Sequence, residues 1–492
     1  MLLNAVIYLP LATGLLILVL PGSRPALVRG IAVAGAVATL VLALVLWIGF
    51  DPAGPALQWR TTAAWIPAVG ATYYVAVDGV SLPLIALTGF LLTVVMIYAL
   101  PDHDRARAHA FLFLLLATGL MGLFSARDLL LFYVFFEIGL VPMYFIIGMW
   151  GGERRRYAAA KFLLYTRAGS LAMLLGFLGL YLSMAPHTFS LQAIVEAQPL
   201  AHAPLASALV FFALLLGFGV KLPTVPFHNW LPDAHVEAPT EGSVVLAGLQ
   251  LKMGGYGLVA ILFPVLPQAV QRFGWLLIAL AIASMLQGAL AALAQSDMKR
   301  LVAYTSINHM GYVTLAVAVA GLSASGSVRA LALNGAVVQM VSHGLLTGGM
   351  FLMVGMLHHR AGTRALDRFG GLAGRLPAFS FLFAVLAFGS LGLPGLSGFI
   401  AEFQVIGASL AVSVWVAALA VLGLALTTAV YLRLAGGVLL GPPAEASPAL
   451  APVSVRELGL AGALAAASVL VGLLPGILLQ LLSGATRALA PF

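Results

Sequence analysis

Cysteine is absent from this 492-residue chain. Iron–sulfur clusters held by its own thiolates, thiol catalysis and disulfide staples are thereby excluded. Charge is nearly as scarce. Asp, Glu, Lys and Arg make up 8% of the residues, against about 25% in soluble domains, so water is not the main solvent of this chain. Phosphate-binding loops, dinucleotide fingerprints and nucleophile triads are also missing, which leaves ATP-driven transport without support. The glycines of "LKMGGYG" lie inside an apolar run, where they signal close helix packing.

What the chain has instead is apolar length. Hydrophobic residues make up 62%, and runs of about 20 recur from end to end, as helices crossing ~30 Å of hydrocarbon require. The short alternating segments of a membrane barrel do not occur. The fold expected is an all-α polytopic membrane protein of about fourteen spans. They lie near 3–20, 27–50, 79–100, 109–124, 127–149, 160–184, 206–228, 239–262, 273–294, 299–320, 327–357, 377–400, 404–436 and 455–483. The first basic residue is Arg24, so 3–20 reads as a retained helix rather than a cleaved signal. Residues 188–199 look like a short amphipathic surface piece and 441–454 like a connector.

A net charge of +8 fits basic loops on one membrane side better than nucleic acid, and no nucleic-acid partner is expected. Assigning loops alternately gives one side Arg24, Arg29, Arg105, Arg107, Arg154, Arg155, Arg156, Lys161, Lys299, Arg300, Arg360, Arg364, Arg368, Arg375, Arg433 and Arg456. The other receives only Arg60, Arg127, Arg272, Arg329 and Arg487. The first side is then cytoplasmic, with both termini outside.

Two spans carry internal breaks, "VKLPTVP" (220–226) in the seventh and "GSLGLPGLSG" (389–398) in the twelfth. Five spans separate them, and an odd displacement inverts topology. "FSARDLLLFYVFFE" and "LAQSDMKRLVAYTSINH" likewise both begin a helix at a small-polar-Asp turn. The expected organisation is three N-terminal helices (1–108), inverted repeats over 109–263 and 272–438, and a last helix within 452–486. Matched breaks in inverted halves point to a transport site, although proline kinks are common in membrane helices.

Glu137, Lys221, Lys252 and Glu402 fall inside apolar spans. Four charges at helix centres cost on the order of 10 kcal/mol on insertion scales, too much for decoration. Salt bridges that merely lock helices are the plainer alternative, but such pairs stabilise poorly compared with apolar packing. The functional reading is a proton relay, in which a carboxylate moving toward or away from a desolvated lysine makes it hold or release a proton. Helix breaks supply backbone groups that can hold water. His309 and His343, between Lys252 and Glu402 in chain order, are candidate steps because imidazole titrates near neutrality. His228 and His235 flank the first break and serve either the path or its capping. His103, His109, His187, His202, His358 and His359 sit near span ends and are expected at the interface. Arg167, in the sixth span, is given no role beyond a local pair or an interfacial position. "HNWLPDAH" is not expected to bind metal, since its prolines deny it a helical face.

The stretches "YYVAVDGVSLPLIALTG", "DLLLFYVFFEIGLVPMYFIIGMWGG", "KLPTVPFHNWLPDAHVEAPT", "LQLKMGGYG", "SDMKRLVAYTSINHMGY" and "LPGLSGFIAEF" together resemble the antiporter-like membrane subunits of respiratory complex I, over nearly the whole chain and in order. The resemblance implies fourteen helices, two inverted five-helix repeats and broken seventh and twelfth helices. It implies Glu137 and Lys221 as the coupling pair, Lys252 as a connecting lysine, His309 and His343 as links, and Glu402 as the terminal site. In this family the twelfth helix usually carries lysine, but glutamate in the branch of subunit M and its mitochondrial counterpart, subunit 4; Glu402 points to that branch. The length, with no added C-terminal lateral helix, agrees.

The resemblance further implies a chain without cofactor, with NADH, FMN, iron–sulfur clusters and quinone in partner subunits. Neighbouring antiporter-like paralogues, other complex I membrane subunits and the lipid of a bacterial inner membrane would surround it. Relatives also occur in multisubunit sodium/proton antiporters and membrane-bound hydrogenases, and these are the alternative reading. A passive scaffold is the remaining one.

Overall fold

The structure is a computed structural model and describes residues 1–21, 24–99, 105–442 and 450–489. Twelve of its helices are long and apolar enough to cross a membrane. They are α1 (Leu2–Val19), α2 (Pro25–Ile48), α3 (Ser81–Tyr98), α4 (Ala106–Ser125), α5 (Leu129–Trp150), α6 (Arg155–Leu182), α8 (Pro204–Lys221), α10 (Thr240–Val265), α12 (Gly274–Leu293), α14 (Gly326–Ala361), α18 (Val414–Leu439) and α19 (Val455–Leu473). Two expected spans fall outside that set for physical reasons. Helix α13 (Met298–Leu322) carries Lys299, Arg300, Asn308 and His309, and the twelfth span is cut into α16 (Pro377–Ser390) and α17 (Ser397–Leu410).

Shorter helices punctuate the bundle. After α6 comes α7 (Leu191–Ala197), the expected amphipathic piece, capped by Ser190 and burying Leu191 and Ile194. Past the first break lies α9 (Trp230–Glu237). Helix α11 (Pro267–Arg272) precedes α12, and α15 (Leu372–Arg375) precedes α16. The span expected at 455–483 is two helices, because Pro475 starts a new turn: α19 is followed by α20 (Gly476–Leu489). Thr486 of α20 donates to Asn334 of α14 at 2.8 Å. The span expected at 377–400 continues to Leu410, and the next begins at Val414 rather than 404. Most of the expected connector, 443–449, lies outside the described residues, as does His103.

Among the described residues, one element is not helical. Gln58–Ile66 (β1) and Ala71–Val77 (β2) form an antiparallel hairpin between α2 and α3, turning at Gly70 with φ 64°. An apolarity count passes over it because its strands are short, mixed in polarity and, in β1, largely exposed.

The surface, rather than the apolar core, departs from that of a soluble protein. The spanning windows of α10 and α14 are wholly buried. Outer helices instead expose Leu164, Leu175, Leu209 and Trp415, as a lipid-facing surface requires. Small residues let the inner helices approach. A Cβ at Gly254 would run into the backbone of Phe218 and Leu222, so the Lys252 helix is wedged against the end of α8.

The two Asp turns read from the sequence are both helix caps. Asp128 accepts from the N–H groups of Leu130 and Leu131, and Asp297 from those of Lys299 and Arg300. Each cap is also stitched to a later loop by the same pair of backbone bonds. Leu129 N–H donates to Phe189 O and Leu191 N–H to Arg127 O, both within 3.0 Å. In the second instance Met298 N–H donates to Arg364 O and Leu366 N–H to Ser296 O. Burial pushes the Asp128 carboxyl up, against the lowering effect of the Thr72, Leu131 and Leu130 N–H groups.

Candidate functional site

Helix α8 stops at Lys221 because Pro223 and Pro226 cannot continue its ladder. The freed groups find partners elsewhere. The Trp230 indole donates to Val220 O at 3.0 Å, and Val225 N–H donates to Ser284 of α12 at 3.0 Å. The break is therefore stapled open. Lys221 is 1% exposed, and its ammonium has no hydrogen-bond partner among the described residues. Its near neighbours are the rings of Phe136 and Phe162, with centroids 5.7 and 5.2 Å away.

Glu137 does not complete the direct pair expected with Lys221. Its Oε2 is ion-paired with Arg167, and its Oε1 is buried without a partner. Both residues belong to the hairpin of α5 and α6. Glu137 lies about a dozen residues before the turn and Arg167 about a dozen after it, so both sit roughly 20 Å along adjacent helices. Matching these counts from the sequence would have paired them.

The remaining candidates form one connected group. Helix α10 contains two π-helical turns, Leu246–Gln250 and Leu258–Leu262, flanking Lys252. Such turns free carbonyls from the regular ladder, and Lys252 Nζ donates to Ala247 O. The same ammonium lies 2.6 Å from His343 Nδ1 on α14. The His343 and His309 rings are 5.7 Å apart, centroid to centroid. His309 Nδ1 then lies 3.5 Å from Glu402 Oε1. Lys252, His343, His309 and Glu402 are each at most 4% exposed.

A small cavity joins the last three, lined also by Gln339, Ser342, Thr347, Ser390 and Gly398. Its core of about 10 Å³ is close to the minimum for one water. His343 Nε2, His309 Nε2 and Glu402 Oε2, all without hydrogen-bond partners among the described residues, belong to residues lining it. The second break shapes this space. Gly392 and Gly395 adopt φ of 81° and 93°, which favour glycine, and a Cβ at 392 would collide with the Glu402 carboxylate.

Sequence reasoning missed Gln339, whose Nε2 lies 3.4 Å from His309 Nδ1 and which stands one helical turn before His343. That i, i+4 spacing was a usable signal. His109 is a correction: it is buried, not interfacial, and contacts Glu241 at 3.0 Å beside Trp150. His187, His202, His358 and His359 are exposed as expected. His235 is fully buried and stacked on Phe351 at 4.4 Å, with neither ring nitrogen hydrogen-bonded among the described residues, and His228 is buried beside the break. Asp233 of α9 ties the bundle together, contacting Lys161 at 2.7 Å and Arg300 at 3.2 Å.

Chemically, the group can pass protons but lacks the means for electron transfer by thiolate-held clusters. Lysine, imidazole and carboxylate each take up and release a proton, and they stand here within one or two hydrogen bonds of each other.

Residues 126–428 match the family described as NADH:quinone oxidoreductase/Mrp antiporter, TM. Among curated relatives, NADH-quinone oxidoreductase subunit M of Rhodobacter capsulatus is 38% identical over 98% of this chain and 94% of its own length. The subunit M of Rickettsia conorii is 40% identical over 88% and 87%. Among solved structures, a chain of respiratory complex I from Thermus thermophilus with bound NADH superposes with a TM-score of 0.88, at 31% identity and full coverage of both chains. A chain of the Mrp complex from Dietzia sp. gives a TM-score of 0.85 at 23% identity, covering 100% of this chain and 97% of that one, which shows the shared fold.

Proposed function

This chain belongs to the NADH:quinone oxidoreductase/Mrp antiporter transmembrane family, and on that premise we propose that it is the proton-translocating subunit M of an NADH–quinone oxidoreductase. The observation carrying this reading is the buried line Lys252–His343–His309–Glu402, whose steps include contacts of 2.6 and 3.5 Å. Buried charge on that scale is costly in hydrocarbon and is found where ions or protons move. Lys221 and Glu137 form the first station and Glu402 the last.

The subunit has no redox role in this reading. NADH, FMN, iron–sulfur clusters and quinone are held by partner subunits, and antiporter-like paralogues flank it in the bilayer. Moving one charge against 100 mV costs about 2.3 kcal/mol, so the driving force comes from outside the chain. The chain sits in a bacterial inner membrane with both termini on the outer side, following its basic-loop asymmetry. Its interior is read as inverted repeats over 109–263 and 272–438. The identical stitching of the Asp128 and Asp297 caps supports that division.

The test is proton pumping by the purified complex in liposomes. Lys221→Ala is expected to leave the complex assembled but abolish pumping coupled to NADH oxidation. Full pumping by the assembled variant would overturn the relay reading. Sodium-dependent exchange by the chain without NADH oxidation would revive the antiporter alternative.

A further inference from the structure

Glu137 has two basic groups within its surroundings, and they differ in kind. Arg167 holds one carboxylate oxygen, while the other is buried and makes no hydrogen bond among the described residues. Lys221 exerts its charge on the same carboxylate but forms no ion pair with it. An arginine stays charged under all biological conditions, whereas a lysine in a dry site can take or give a proton. Glu137 thus stands between a permanent cation and a switchable one.

Their settings differ too. Lys221 is 1% exposed, at the break and among phenylalanine rings. The Arg167 side chain is 49% exposed on the outer face of α6, where Leu164, Leu171 and Leu175 are also exposed. The guanidinium arm thus lies at the surface of this chain, whereas the lysine is enclosed within it. Tyr133 lies beside the Glu137 carboxylate, and the Ser170 hydroxyl donates to Arg167 O at 3.1 Å.

We propose that Arg167 is a positioning residue that parks the Glu137 carboxylate away from Lys221 and thereby sets when Lys221 can release its proton. With Glu137 held on Arg167, its charge acts on the Lys221 ammonium without direct contact, and Lys221 passes a proton to the next acceptor, becoming neutral amine. When Arg167 lets go, Glu137 turns its free oxygen inward and Lys221 regains a proton from water admitted at the helix break. One proton enters and one leaves per cycle, and no electron moves. This rests on reading Lys221 as a relay station.

The experiment uses the whole complex in liposomes, with NADH-driven reduction of an artificial acceptor to count assembled complexes. Arg167→Gln is expected to lower protons pumped per NADH several-fold, and Arg167→Lys to restore part of the loss. A purely structural Arg167 would reduce assembly but leave pumping per assembled complex unchanged, and that result would overturn the proposal. Should Arg167→Gln fail to assemble, a cycle with Glu137→Gln decides. Acting through Glu137, Arg167→Lys should cause no further loss in a Glu137→Gln background, whereas additive losses would overturn the proposal. Full pumping by Lys221→Ala would instead sink the relay reading itself, so the two failures are distinguishable.

Discussion

Around Lys221 the charges are spaced apart, whereas around Lys252 they are in contact. The Lys221 ammonium has no hydrogen-bond partner among the described residues, and its expected carboxylate is turned to Arg167. The Lys252 ammonium meets Ala247 O and His343, and the line runs on to Glu402 through His309. The first region has the form of a switch, since a carboxylate between two cations can change partners. The second has the form of a wire, since its groups already lie near transfer distance. Both use the same device to make room, a helix broken at prolines and glycines whose freed backbone groups are satisfied by side chains or turns.

Breaking the wire should cost most. Lys252→Ala removes the group that joins His343 to Ala247 O, and pumping per NADH by assembled complex should fall about tenfold or more, as losing a proton-transfer group does. A smaller, graded loss is expected at His309. His309→Leu fills the space and severs the line, while His309→Ala enlarges a polar cavity that water can enter. The alanine variant should therefore pump better than the leucine one, and the reverse order would argue against water-assisted transfer.

Gly392→Ala tests whether the second break serves Glu402. Its φ of 81° and the carboxylate clash predict a loss of about 2 kcal/mol, seen as a lower dissociation temperature of the complex. The smallest effects belong to the caps. Asp128→Ala and Asp297→Ala should each cost about 1 kcal/mol by the same measurement. Unequal losses would weaken the likeness between the two regions.

Most spans and both breaks were legible because apolar length and proline are local signals, and the six candidate residues stood out as polar groups within apolar runs. Pairing was less so. Glu137 was matched to Lys221 by chemistry, while its partner Arg167 is fixed by depth in a helical hairpin. The hairpin at Gln58–Val77 escaped because an apolarity count sees only spans. The π turns of α10 carry no residue pattern of their own; they lie along the stretch where Gly248 and Gly254 bring α10 against α14 and α8. His109 looked interfacial from its place near a helix start, and only the fold brings Glu241 to it.

The most direct test of the relay is protons translocated per NADH oxidised by the complex in liposomes carrying Glu402→Gln, which keeps the shape of the last station and removes its charge. The expected result is an assembled complex whose NADH oxidation continues to an artificial acceptor while the proton yield per NADH drops severalfold. An unchanged proton yield would contradict the relay.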